Sequence, residues 1–118
     1  MRVRCVRIVS PVTGAVLADS PWLRVGEEYA VLTVLAEPER VPLLRVLHEG
    51  GPSLWDSGMF ETVDDRLPDS WVARVRDGGI VEFGPARWLE PGFWEAYVDD
   101  DPRAVAAYED ELARMYPP

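Results

Sequence analysis

The sequence predicts an α+β fold in which an antiparallel β-barrel, or a strongly curved meander, is followed by short C-terminal helices. Three observations predict it. Apolar and polar residues alternate with strand period in short runs between Val3 and Phe83. Clusters of Gly, Pro, Asp and Ser separate those runs at turn-like spacing. Beyond Phe83 the signals become helical, with Pro85 and Pro102 placed to open helices.

The first strand is expected over Val3 to Val9, where Val3, Cys5, Val6, Ile8 and Val9 interleave with Arg2, Arg4 and Arg7 before Ser10 and Pro11 stop the run. Thr13 and Gly14 form a turn ahead of Ala15 to Ala18, and Asp19, Ser20 and Pro21 form another ahead of Trp22 and Leu23. The strongest strand signal is Glu28 to Leu35. Perfect alternation there places Tyr29, Val31, Thr33 and Leu35 on one face and Ala30, Leu32 and Val34 on the other, so both faces are expected to be buried.

Glu37, Pro38 and Glu39 break that strand. Val41 to Leu47 is its expected antiparallel partner, closed by Gly50, Gly51 and Pro52. A second hairpin is expected from Leu54 and Trp55 through the turn Asp56, Ser57, Gly58 to Met59–Val63. A third joins Trp71–Val75 to Ile80–Phe83 across Asp77, Gly78 and Gly79.

Pro85 then opens a short helical turn through Leu89, which Pro91 and Gly92 end. Phe93 to Val98 forms a second helix. Asp101 caps a third, with Pro102 at its first position and Val105, Tyr108, Leu112 and Met115 as one apolar face. Glu109, Asp110 and Glu111 are expected on its wet side, with Asp110 one turn before Arg114. At 118 residues, without a linker-like stretch, the chain is expected to be one domain: a β portion over 1–84 and a helical portion over 85–118 packed on it.

Composition narrows function. Twelve basic residues, all Arg, against 21 acidic ones give a net charge of −9. Nucleic acid and anionic membranes, which are bound through clustered positive charge, are therefore not the expected partners. A basic protein is. The lone Cys5 has no internal disulfide partner and fits a buried core position in a cytoplasmic protein. No apolar run reaches signal-peptide or membrane-span length, so neither secretion by a standard signal nor a membrane anchor is expected.

No chemistry is apparent in the motifs. The chain has no GxSxG elbow, Gly-rich phosphate loop, CxxC pair or HExxH helix, and its only His, His48, has no recognisable catalytic partner in sequence. No enzyme activity and no cofactor are expected. Asp99, Asp100 and Asp101 lack the spaced ligands of a calcium loop and are better explained as charge at a helix N-terminus, so no metal is expected. Asp64, Asp65 and Asp69 belong to a solvated turn around Pro68.

Two resemblances bear on function. Leu23, Val25, Gly26, Tyr29 and Val31, followed by an alternating strand and then Phe60, Glu61 and Val63, resemble the opening strands of SH3-like barrels in small bacterial proteins. Trp88, then Pro91, Gly92, Phe93, Trp94 and Glu95, then Tyr97 and the step Asp101–Pro102, resemble a loose group of small bacterial proteins, some of which look like toxin immunity proteins. The second resemblance implies a protein that neutralises a toxin by binding it. The first implies, as an alternative, an SH3-like adaptor or regulatory module. The expected partner surface is the acidic stretch from Glu95 to Asp101, seven residues with four carboxylates and no basic side chain, taken with the rims of Trp94 and Tyr97. Its candidate contacts are Glu95, Asp99, Asp100, Asp101, Trp94 and Tyr97. The competing use of Trp88, Phe93, Trp94 and Tyr97 is to staple the helices to the sheet.

Overall fold

A computed structural model describes residues 1–117 of the chain. The fold is α+β, a mostly antiparallel sheet followed by two C-terminal helices. The strands are β1 (Arg2–Cys5), β2 (Ile8–Val9), β3 (Val16–Leu17), β4 (Glu28–Ala36), β5 (Leu43–His48), β6 (Gly51–Asp56), β7 (Phe60–Asp64), β8 (Trp71–Val75) and β9 (Val81–Pro85). A 3-10 turn over Ala86–Leu89 leads to α1 (Phe93–Val98) and α2 (Pro102–Met115).

Strand β4 organises the sheet. β5 pairs along one edge, matching Val34 to Leu44. The other edge is shared end to end, by β1 opposite Glu28–Ala30 and by β9 opposite Val34–Ala36. The main path runs β6-β5-β4-β1-β7, with β9 branching from β4 and carrying β8. Because β6, β7 and β8 each end the pairing, the described residues form no closed barrel, and the branch at β4 is not a simple meander. The close approach of β9 to β4 depends on Gly84, where a Cβ would stand 2.9 Å from Thr33 Cγ2.

A register shift between Val31 and Thr33 corrects the expected alternation along β4. Leu32 is the extra residue, and a bulge reverses the parity of everything after it. Val34 thus joins Tyr29 and Val31 over one core, with Val3, Cys5, Leu44 and Met59, while Leu32 turns to a second core with Trp88, Phe93 and Tyr108. One strand therefore serves the two sides of the sheet, and the helices cover the second side.

Other expected elements are corrected as well. The first run is not continuous to Val9, because the N–H groups of Val6 and Arg7 both donate to the Met59 carbonyl, at 2.8 and 3.3 Å, and leave the ladder. Gly51 and Pro52 do not close β5 but begin β6, with Pro52 opposite Leu47 on an edge strand where its missing donor costs little. The second hairpin does not form. Asp56 accepts from the Gly58 N–H at 2.7 Å and turns a 3-10 corner, sending β6 to pair with β5 and β7 to pair with β1. The third hairpin forms as expected, through the left-handed Gly78 and Gly79.

In α2 the Asp101 carboxylate accepts from the Arg103 N–H at 2.9 Å, as the capping pattern requires. The buried stripe is Ala104, Tyr108 and Glu111, flanked by half-buried Val105, Leu112 and Met115. Glu111 is thus not on the wet side. It is 6% exposed and accepts from Arg87 Nε at 2.9 Å, which offsets the cost of burying its charge. Indole N–H groups fix the helix from two directions: Trp88 donates to the Ala107 carbonyl at 3.2 Å, and Trp71 to Met115 Sδ at 3.0 Å.

Candidate functional site

The expected contact residues lie together on α1 and at its junction with α2, where local backbone chemistry explains much of the acidic sequence. Asp100 has φ of 58° and ends α1 in the left-handed region. Its N–H donates to the Tyr97 carbonyl at 3.1 Å, and the Asp101 N–H donates to the Ala96 carbonyl at 3.0 Å. That pair of bonds is a Schellman motif, here with Asp where Gly is commonest. Asp101 caps α2 at the next residue, so two helices meet without a connecting loop.

Side chains divide by direction. Glu95, Asp99, Asp100 and Asp101 are exposed, whereas Trp94 and Tyr97 are half-buried. Trp94 lies edge-on to Phe93 and Trp88, with centroids 5.0 and 5.6 Å away, and Tyr97 lies 4.5 Å from Tyr108. These aromatics tie α1 and α2 to the sheet and offer only rims to solvent. Burial, followed by the nearby carboxylates of Glu109 and Asp100, pushes the Tyr97 phenol up from its ordinary value.

Eight acids, all of them elsewhere, pair with arginines. Arg4 pairs with Glu28 and Glu61, Arg76 with Glu82, Arg74 with Glu90, and Arg87 with Asp110 and Glu111. Asp64 is held by a fork from Arg66, Nε at 3.0 Å and Nη2 at 2.8 Å, which keeps its carboxyl well below the usual range. Among the described residues Glu95, Asp99, Asp100 and Glu109 make no ion pair. Glu95, Asp99 and Asp100 thus form an acidic edge without paired cations, and Glu109 joins it.

His48 and Cys5 occupy structural positions. His48 Nδ1 accepts from the Gly50 N–H at 2.9 Å, so the neutral ring carries its proton on Nε2, which lies 2.6 Å from Ser53 Oγ. That tautomer donates to the hydroxyl, the reverse of what a general base does to a nucleophile. Cys5 is fully buried, and burial pushes its thiol up, away from the reactive thiolate. Among the described residues no group of three or more His, Cys, Asp or Glu is placed to hold a metal ion. None of their helices is long and apolar enough to cross a membrane.

Arg45 is the residue the sequence reading passed over. It stands in β5 between buried Leu44 and Val46, on the opposite face from them, beside Thr33 of β4. Its guanidinium lies 3.9 Å over the Trp94 ring, and its Nε donates to Thr33 Oγ1 at 3.3 Å. A cleft of about 210 Å³ opens beside it, lined also by Arg76, Glu82, Pro91 and Glu95. The available signal was a charged residue inside the run Leu43-Leu44-Arg45-Val46-Leu47.

Comparison with protein-family models, with curated proteins and with solved structures gives no match to this chain. The functional reading therefore rests on its own geometry.

Proposed function

We propose that this is a non-catalytic protein-binding protein of the immunity or inhibitor kind, which neutralises a basic partner, such as a bacterial toxin, by covering it in the cytoplasm. The observation that carries the reading is the edge formed by Glu95, Asp99, Asp100 and Glu109, four exposed carboxylates without an ion-pair partner at and beside the junction of α1 and α2. Like charges held together repel one another and destabilise the free protein slightly. A cationic surface relieves that repulsion and is drawn in at long range.

Asp101 belongs to this edge by position but is committed to capping α2. Trp94 and Tyr97 hold the edge rigid from beneath, so little conformational freedom is lost when a partner docks. The resemblance of the Trp88 to Pro102 segment to immunity-like proteins points the same way.

Affinity capture with the tagged full chain in its native cells, washed at low and then high ionic strength, tests the proposal. The expected result is a basic protein retained at low salt and released as salt rises. A captured partner that is acidic, or whose retention is indifferent to salt, would overturn it.

A further inference from the structure

We propose that the cleft beside Arg45 is a binding site for a monocarboxylate group, held by the free edge of the Arg45 guanidinium, with its apolar body against Leu35 and Pro91. This inference does not rest on any toxin partner, and of the acidic edge it shares only Glu95.

Four observations carry it. Among the described residues Arg45 is the only half-buried arginine without a carboxylate within ion-pair distance: Arg74 and Arg76, similarly placed, have Glu90 and Glu82 at 3.5 and 2.5 Å. Glu82 and Glu95 act on its charge only from beyond ion-pair distance, so the cost of half-burying that cation is offset in part and not by a direct partner. The guanidinium is already oriented, by Thr33 Oγ1 on its Nε and by Trp94 beneath its plane. Its terminal N–H groups make no hydrogen bond to any described residue, so the bidentate edge that matches a carboxylate is unused. Beside it lies a real space of about 210 Å³, large enough for a carboxyl group with a small apolar body.

The same cleft sets the charge and shape of the ligand. Glu82, Glu90 and Glu95 also line it, and they repel a phosphate or a dicarboxylate more strongly than a single negative charge. Leu35, Pro91 and Phe93 supply apolar wall. Burial lowers Arg45 to about 10, which still leaves it fully charged at neutral pH. A free organic acid and the C-terminal carboxylate of a peptide present the same group, and the probes below tell them apart.

The test is a titration of the full-length protein followed by ¹H–¹⁵N NMR at constant ionic strength, reading the Arg45 Nε–H and the Trp94 indole N–H. The probes are N-acetyl-leucine, its uncharged amide, inorganic phosphate and an acetylated dipeptide with a free carboxylate. Saturable shifts of both reporters with N-acetyl-leucine and none with the amide are expected. The acetylated dipeptide binding more tightly than N-acetyl-leucine assigns the site to a peptide end, and the reverse order assigns it to a free acid. Arg45→Lys, which keeps charge but loses the fork, should weaken binding roughly tenfold, since a charge-assisted hydrogen bond is lost. Arg45→Met, which removes a buried charge and is expected to fold, should abolish it, and Glu95→Gln should tighten it.

Equal shifts with acid and amide, tighter binding of phosphate than of carboxylate, binding retained in Arg45→Met, or no saturable shift with any probe would each overturn the proposal.

Discussion

The Tyr116 hydroxyl lies 2.6 Å from the Val31 carbonyl, joining the residue that follows α2 to the centre of β4 across 85 positions of sequence. The same oxygen lies 2.9 Å from the Met1 carbonyl and receives the Met1 amine at 3.2 Å. One phenol therefore ties three segments together at the point where the bulge in β4 begins.

Tyr116→Phe should destabilise the protein by about 1–3 kcal/mol, the cost of leaving buried polar groups without their partner, as read from the midpoint of urea unfolding. The phenol also gives an alkaline signature. Burial raises it to about 12 in the folded protein, against about 10 in an unfolded chain. The contribution is complete below pH 10 and declines as pH rises from 10 to 12, and Tyr116→Phe should flatten that part of the stability profile.

Glu111 is held by Arg87 at 2.9 Å, with Arg114 at 3.6 Å beyond it. Arg87→Met should cost roughly 1.5–3 kcal/mol, the scale of a hydrogen bond to a charged group, with Arg114 limiting the loss. Glu111→Gln should cost less, because it strands no buried charge. Equal losses in thermal unfolding of the two variants would show that the interaction is only a screened surface pair.

How much of this was legible follows from which residues act locally. Asp101 with Pro102, the Gly78–Gly79 turn and the spacing in α2 describe nearest neighbours, and their elements form where the sequence puts them. The Leu32 bulge is invisible in a run of eight apolar and β-branched residues, since nothing local marks where the strand slips by one. Its consequence was large, because the reversed parity sends Thr33 to the helix side of the sheet, opposite Arg45 of β5. Glu111 looked wet because its partner, Arg87, lies 24 residues away, in a turn whose position against α2 is a tertiary fact. The turn at Asp56–Gly58 has good hairpin chemistry, but β5 and β1 offer better pairing to the strands on either side of it. At the candidate site, the acidic residues were legible as composition. The cap at Asp101 was legible too, whereas the absence of ion pairs at Glu95, Asp99 and Asp100 needed coordinates.

His48 should make the protein sensitive to mild acid. Burial lowers its pKa below the usual value of about 6.5, and a protonated Nδ1 can no longer accept the Gly50 N–H. An unfolded chain binds the proton more readily, so this contribution is present above pH 6.5 and is lost as pH falls below it. Denaturant midpoints should drop between pH 7.5 and 5.5 in the parent, and the drop should shrink in His48→Gln. On the proposed function, partner binding at pH 7.5 should survive both His48→Ala and Cys5→Ser. Loss of binding by a folded His48→Ala protein would reopen a chemical role for the ring.

The acidic edge can be separated from helix capping by measuring rates rather than stability alone. If Glu95, Asp99 and Asp100 steer a cationic partner, the association rate should fall as ionic strength rises, because screening shortens the reach of their field to about 10 Å at 0.1 M salt. Asp99→Asn with Asp100→Asn should lower both that rate and its salt dependence while leaving dissociation nearly unchanged. Its stability should hold, because the bonds that end α1 are made by the Asp100 and Asp101 backbone N–H groups and the cap of α2 by the Asp101 carboxylate, none of which the variant alters. Asp101→Ala supplies the opposite pattern: a loss of about 0.5–2 kcal/mol from the missing cap, with a smaller change in rate. A double Asn variant that keeps the parent's association rate at every salt concentration would remove Asp99 and Asp100 from recognition and leave them as surface charge beside a helix junction.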